Sequence, residues 1–245
     1  MNNKTVPVIK QIEDLVDDVP GWTPLDQLYT LFNLVYATAG LTGDIVEIGS
    51  WCGRSAIVLA FAARMTGVQN VHCIDLFPEK QDWVQTEAGH HYIKVNIDGS
   101  EHEGYKGFGG VWEEPYSRDI APLYEKHGSV FAIFKDTVSR KGFTDIIKVH
   151  RGTSGMFAAG AEADFKCKLA FIDGDHSYEP VCDDFRNVDR FLVPGGWVAF
   201  DDAFSVYEGV NRSIADNVIG NPAYDLSQQM ARKLFVARKR PGTSG

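Results

Sequence analysis

The chain has 245 residues, 44% of them hydrophobic and 23% charged, with a formal net charge of −9 and a pI near 5.2. This composition fits one large α/β domain with a substantial core, and it excludes collagen, coiled coil and intrinsic disorder. The acidic balance argues against nucleic acid or an anionic membrane as partner, and no apolar run nears the ~20 residues of a membrane helix. The opening MNNKTVPVIKQIEDLVDDVP has no apolar signal core, and Cys52, Cys73, Cys167 and Cys182 show no paired spacing. Buried free thiols in a reducing cytoplasm are therefore expected, rather than a disulfide framework or a zinc site.

In chain order, Leu25, Leu28, Phe32 and Val35 mark an amphipathic helix with Pro24 near its first turn. Residues 44–49 (DIVEIG) read as a strand stopped by Gly-Ser, and residues 54–65 as a helix burying Ala56, Ala60 and Ala63. Further strands are expected at 71–76, 145–149, 168–173 and 196–201. Val181, Phe185, Val188 and Leu192 repeat at helix spacing, as do Val206, Val210, Ile214 and Val218. Strands alternating with helices predict a doubly wound, mostly parallel, Rossmann-like α/β sheet. Residues 224–230 and 234–238 lie too close together for a helical crossover, so they predict an antiparallel hairpin at the sheet edge and bring the strands to seven.

Residues 77–129 break the alternation. They are acidic and glycine-rich toward the middle, with Tyr105, Phe108, Trp112 and Tyr116 interleaved. The insertion follows the carboxyl end of a strand, where open α/β sheets bind ligands, so a lid with aromatic contact points is expected. The predicted organisation is an amino-terminal extension over 1–24, a single domain over 25–238 and a flexible tail over 239–245. The amino-terminal helices and the insertion offer surfaces for a homo-oligomer.

Three loops carry candidate chemistry. In the first, Gly49 and Gly53 turn the chain from strand to helix and bring backbone N–H groups toward a ligand. The G-x-x-x-G spacing fits neither the dinucleotide fingerprint nor a phosphate loop. Glu47 at the strand end would repel a pyrophosphate and welcome an ammonium group. In the second, Asp75 ends its strand where a carboxylate accepts ribose hydroxyls. In the third, Gly152-Thr153-Ser154-Gly155 can cap a helix or line an adenine slot.

The densest cluster joins Asp173-Gly174-Asp175-His176-Ser177-Tyr178 to Asp201-Asp202, at the ends of neighbouring strands. Crowded carboxylates repel unless they share protons or a cation, and an oxygen-only donor set points to Mg²⁺. Asp201 and Asp202 can both bind only if the strand has already turned into loop. Asp175 would otherwise cap the next helix. His176, one turn into that helix, or Asp175 could accept a proton from a substrate hydroxyl. His90, His91 and His102 read as surface residues.

With these residues in place, the chain resembles the class I S-adenosylmethionine-dependent methyltransferases over residues 25–238, hairpin included. Residues 46–56 (VEIGSWCGRSA) are similar to the first motif of the catechol O-methyltransferase group. Residues 172–179 (IDGDHSYE) and 194–196 (PGG) resemble a bacterial branch with macrolide-sugar, aminocoumarin and cephalosporin-biosynthesis members. The resemblance implies that Glu47, Gly49, Ser50 and Ser55 surround the methionine part of S-adenosylmethionine, with Asp75 at the ribose and Ser154 at the adenine. Asp173, at the cofactor's edge, would bind Mg²⁺ with Asp201 and Asp202. The catechol enzymes differ in having Asn at the second position of the Asp201-Asp202 pair and a Lys near His176.

The implied activity is methylation of a hydroxyl on a small-molecule acceptor, such as a sugar or a phenolic natural-product diol. Two rival readings are a metal-dependent enzyme of other chemistry and a nucleoside-binding scaffold without catalysis.

Overall fold

The computed structural model describes residues 6–106 and 110–242. The extension is helical: α1 (Val8–Val16) buries Ile12 and Val16. Next, α2 (Leu25–Ala37) starts after Pro24, with Asp26 in its first turn, where a carboxylate complements the helix dipole. Then β1 (Asp44–Ile48), α3 (Arg54–Thr66) and β2 (Val71–Asp75) form a βαβ unit. Helix α3 ends at Gly67, whose N–H donates to the Ala63 carbonyl in the left-handed conformation that glycine accepts most readily.

The insertion is itself folded. After a short 3₁₀ turn (Lys80–Asp82), β3 (Trp83–Gln85), β4 (His90–Ile97), β5 (Ser100–Gly104) and β6 (Val111–Trp112) make a second, antiparallel sheet built on β4. The β4–β5 turn is Asp98-Gly99 with both φ angles positive, the geometry of a tight two-residue hairpin. His91, Ile93, Val95 and Ile97 alternate inward along β4. Trp83, Ile93, Val95, Ile120 and Tyr124 join the main core, so the insertion packs as part of the domain. His91 is a correction to its reading as a surface residue: it is buried and stacked on Tyr116, with ring centroids 3.7 Å apart. Helical turns α4 (Glu113–Pro115), a π-turn (Tyr116–Ile120) and α5 (Ala121–His127) lead to α6 (Val130–Arg140), capped by Ser129.

The main sheet resumes with β7 (Ile147–Arg151), α7 (Ser154–Gly160), β8 (Cys167–Ile172), α8 (Tyr178–Asp189), β9 (Leu192–Phe200) and α9 (Glu208–Asn217), and ends in the hairpin β10 (Tyr224–Ala231) and β11 (Leu234–Lys239). The strand order is β10-β11-β9-β8-β1-β2-β7. The five strands from β9 to β7 are parallel, and β11 pairs antiparallel with both β9 and β10. Inner strands alternate between two buried faces. Ile45, Leu169 and Phe171 face the layer containing α1, α2 and α3, while Val46, Ala170 and Ile172 face α8 and α9. Burying each such large side chain contributes about 1.5–3 kcal/mol.

The structure corrects several boundaries. Val206 is 90% exposed and lies before α9. Strand β7 starts two residues later than expected. His176 precedes α8, and Ser177, not Asp175, is that helix's N-cap residue. At the carboxyl end, the Lys239 ammonium bonds the Asp189 carboxylate and the Arg240 N–H donates to Ala223, so the chain stays tied to the sheet through Arg240. Among the described residues, no helix is long and apolar enough to cross a membrane.

Candidate active site

Strand order reverses between β1 and β8, and the crevice outside the carboxyl ends of such strands is where open α/β sheets take ligands. Two cavities open there, of about 740 and 120 Å³. They share Gly49, Trp51, Asp75 and Tyr105.

The loop after β1 is built for close approach. Gly49 has φ +88°, and a Cβ placed on it would lie 1.9 Å from the Asp173 carbonyl oxygen. Only glycine lets β1 and β8 come that near. Gly53, φ +92°, precedes α3, where a Cβ would meet the Phe134 ring at 3.3 Å. It lines neither cavity, so its place is the turn itself. Ser50 and Ser55 do line the larger cavity. Trp51, at φ +45°, donates its backbone N–H to Asp75 Oδ2 at 2.9 Å.

Glu47 is fully buried near the end of β1 and, like Gly53, lines neither cavity itself; its partner Ser50 stands between it and the larger one. Its Oε2 accepts from Ser50 Oγ at 2.6 Å, and its Oε1 has no hydrogen-bond partner. Burial pushes the carboxyl up to about 7, against partial relief from the Ser50, Ser55 and Cys73 side chains. An orphaned buried carboxylate oxygen is costly, and an ammonium ligand would satisfy it. Asp75 accepts from the N–H groups of Trp51 and, at 2.5 Å, Phe77. Burial raises its pKa, while the backbone N–H groups of Trp51, Phe77 and Ser50 lower it.

The lining of the smaller cavity includes Asp75, Gly152, Thr153 and Ser154, and, among residues that the sequence reading missed or placed elsewhere, Asp184 and Asp175. Asp184, missed, accepts from Ser154 Oγ at 2.6 Å and is pushed by burial up to about 7. Its signal was available: it falls on the apolar stripe of α8, three residues after Val181. Asp175 has both oxygens taken by backbone N–H groups, Tyr105 at 2.5 Å and Ser177 at 2.7 Å. It ties the insertion to the loop after β8 and does not line the larger cavity, where His176 does.

The acidic cluster assembles as its sequence position predicts. One carboxylate oxygen from each of Asp173, Asp201 and Asp202 lies within 4.8 Å of the others. Strand β9 stops at Phe200, and Asp202 adopts φ +56°, so the chain has left strand geometry where both aspartates must face one space. Burial and the charges of Asp201 and Asp202 push Asp173 well above the usual carboxylate range. Burial acts upward on Asp202 as well, but His176 and Lys233 hold it below its ordinary value. Three hard oxygen donors fit Mg²⁺.

Around this cluster stand two residues with no local sequence signal. Gln27 of α2, fully buried, donates to Asp201 Oδ1 at 2.6 Å. Lys233, from the β10–β11 turn, bonds Asp202 Oδ1 and lies 3.6 Å from Asp201 Oδ2. Burial alone would lower the lysine's pKa, but the two carboxylates raise it. His176 Nε2 is 2.8 Å from Asp202 Oδ2, its ring stacks on Tyr207 with centroids 3.9 Å apart, and its Nδ1 is buried without a partner.

The larger cavity's roof comes from both ends of the chain's first half. Pro20, Trp22 and Thr23 of the extension face Tyr105, Trp112 and Ile120 of the insertion. Arg54 fastens the extension by donating to the carbonyls of Val16, Val19 and Thr23. Of the expected aromatic contacts, Tyr105 and Trp112 line the cavity, and Tyr116 packs on Trp83 and His91 instead. Phe108 lies outside the described residues.

The family described as methyltransferase domain matches residues 46–203. Among solved structures, the chain is similar to the O-methyltransferase NovP at 17% identity and TM-score 0.62, covering 90% of this chain and 83% of that one. It is also similar to the calicheamicin methyltransferase CalS11 (17%, TM-score 0.56, covering 94% and 90%). A Bacillus cereus O-methyltransferase in complex with SAH gives 15%, TM-score 0.55, and coverage of 97% and 93%. At these identities the likeness is one of fold. A 54-residue stretch is 39% identical to uncharacterized protein R132 of Acanthamoeba polyphaga mimivirus, covering 20% of this chain and only 24% of that protein. The match over residues 46–203 takes in the glycine loop, Asp75, the acidic cluster and His176, and on it the chain belongs to the methyltransferase domain family.

Proposed function

We propose that this protein is an S-adenosylmethionine-dependent O-methyltransferase that methylates a hydroxyl of a small molecule with the help of Mg²⁺. The observation that carries the reading is the fully buried Glu47, whose Oε1 has no partner beside the Gly49 turn. A cationic amino-acid ligand answers that need, and a dinucleotide would not. Asp75, already aimed by two backbone N–H groups, has lone pairs left for ribose hydroxyls. Ser154 and Asp184 offer polar atoms to a base. S-adenosylmethionine supplies a methyl group on a sulfonium, which needs an in-line oxygen nucleophile and close positioning.

Asp173, Asp201 and Asp202 would hold Mg²⁺, which supplies a Lewis acid that acidifies and orients an acceptor hydroxyl. His176 is the preferred proton acceptor, because both Asp175 oxygens are engaged by backbone donors. With Nε2–H donated to Asp202, the His176 lone pair sits on Nδ1. Nδ1 is buried in this conformation, so taking the proton of an acceptor hydroxyl there would require the ring to move toward the cavity that His176 lines, with Asp202 stabilising the imidazolium. Trp22, Trp51, Trp83, Tyr105 and Trp112 would give the acceptor an apolar, aromatic lining to pack against.

The acceptor class suggested is a vicinal diol, a sugar or a phenol of the natural-product type, because two neighbouring oxygens can share one metal. The CalS11 neighbour is described as a TDP-rhamnose 3′-O-methyltransferase, in line with a sugar acceptor. The four buried free thiols support a cytoplasmic protein, the net acidity argues against nucleic-acid or membrane partners, and we place it as a homo-oligomer on the surfaces of its extension and insertion. The test is a panel of sugar and phenolic diols incubated with S-adenosylmethionine and Mg²⁺, with products read by mass spectrometry. Methylated product that disappears with EDTA is expected. Methylation of any acceptor at full rate in EDTA would remove the metal's part in the reading.

A further inference from the structure

The Asp173–Asp201–Asp202 cluster carries a cation of its own. Lys233 sits in the two-residue turn between β10 and β11, and a backbone and a side-chain contact hold that turn in place. The Lys233 carbonyl accepts the Ala203 N–H at 2.8 Å, and Arg232 Nε bonds Asp26 of α2 at 2.7 Å. So anchored, the lysine's stem runs back to the cluster, where Nζ bonds Asp202 and stands 3.6 Å from Asp201 Oδ2. The other Asp202 oxygen is engaged by His176, and Asp201 Oδ1 by Gln27. The ammonium and a divalent ion therefore compete for the same oxygens.

We propose that Lys233 is the resident counter-ion of the cluster, and that its displacement sets how tightly the site takes a divalent cation. The inference rests on the Mg²⁺ reading above and goes beyond it. A divalent ion among the three carboxylates brings like charges within a few ångströms of Nζ, which costs far more in a half-buried cleft than in water. The ammonium has somewhere to go, because the Lys233 side chain is 32% exposed and its four-carbon stem is flexible. The device offsets part of the cluster's negative charge before a metal arrives and weakens metal binding by the strength of the contact that must break.

The experiment is calorimetric titration of Mn²⁺ alone into the full chain, wild type against Lys233→Met and Lys233→Arg, with S-adenosylhomocysteine binding as the check on folding. Lys233→Met is expected to bind Mn²⁺ about 10- to 100-fold more tightly, from loss of one like charge at close range. Lys233→Arg keeps the charge and is expected to stay within about threefold of wild type. If the methionine variant fails to bind S-adenosylhomocysteine, Lys233→Gln carries the same comparison. Wild-type Mn²⁺ binding that is unchanged or weakened on removing the charge would overturn the displacement while leaving the metal reading intact. Equal tightening in the arginine variant would also overturn it. Absence of Mn²⁺ binding in every variant would remove the metal reading and the displacement together.

Discussion

Replacing Glu47 by glutamine tests the electrostatic logic of the nucleoside site. Burial has pushed this carboxyl up to about 7 from an ordinary 4.5, so keeping it charged at pH 8 in the free protein costs about 3 kcal/mol. The folded value is raised, so the protein binds the proton more tightly than the unfolded chain does. Stability from this group is complete below the ordinary value and falls as pH rises toward 7. Two opposite effects follow. The free Glu47→Gln protein should melt at a higher temperature than wild type at pH 8. Its affinity for S-adenosylhomocysteine should fall about 10- to 100-fold, the worth of a buried charge-assisted hydrogen bond. Wild-type affinity should also drop roughly tenfold between pH 8 and pH 6, because binding the ammonium requires the ionised carboxylate. Calorimetry at both pH values reads all three affinities. Glutamine affinity within twofold of wild type at pH 8, or a flat wild-type profile, would refute the reasoning.

Three further substitutions probe the frame. Gly49→Ala puts a methyl 1.9 Å from the Asp173 carbonyl, and we expect a loss of more than ~3 kcal/mol or failure to fold, read by urea unfolding. An ordinary melting curve would contradict the close β1–β8 approach. Asp201→Ala should abolish turnover and leave S-adenosylhomocysteine binding within about threefold, because it removes a proposed metal ligand and no proposed nucleoside contact. Unchanged turnover would end the metal's catalytic role, and a protein that methylates nothing while its binding alters a partner's activity would favour the scaffold reading. Arg54→Ala strands three carbonyls of the extension and should cost about 2–3 kcal/mol, with residues 6–23 newly open to protease. A change under ~0.5 kcal/mol would mean that the clasp contributes little.

The parallel core was legible because β1, β2, β8 and β9 are buried on both faces and read as short apolar runs. Strand β7 was misplaced by two residues because it lies at the sheet edge, where Lys148, His150 and Arg151 interrupt the apolar signal. The small sheet of the insertion carried two readable signs that went unused, the two-residue alternation of His91, Ile93, Val95 and Ile97 and the Asp98-Gly99 turn. Glycine density and acidity in the same stretch masked them. In the candidate site, residues clustered in short motifs are legible from the sequence, and residues delivered by the tertiary fold are not. Gln27 reaches Asp201 across 174 positions and Lys233 reaches Asp202 across 31, distances over which no local pattern operates. Asp175 and His176, adjacent in sequence, end up serving different cavities because the chain turns between them into α8.

Calorimetric titration of S-adenosylhomocysteine, once with Mg²⁺ and once with EDTA, with NAD as control, tests the central claim most directly. The account predicts micromolar binding that ignores EDTA, since the proposed contacts of Glu47 to the amino-acid part, Asp75 to the ribose and Ser154 to the adenine need no metal, and no binding of NAD. Absence of S-adenosylhomocysteine binding in both buffers would contradict it, and the loop from Gly49 to Gly53 would stand as a structural turn.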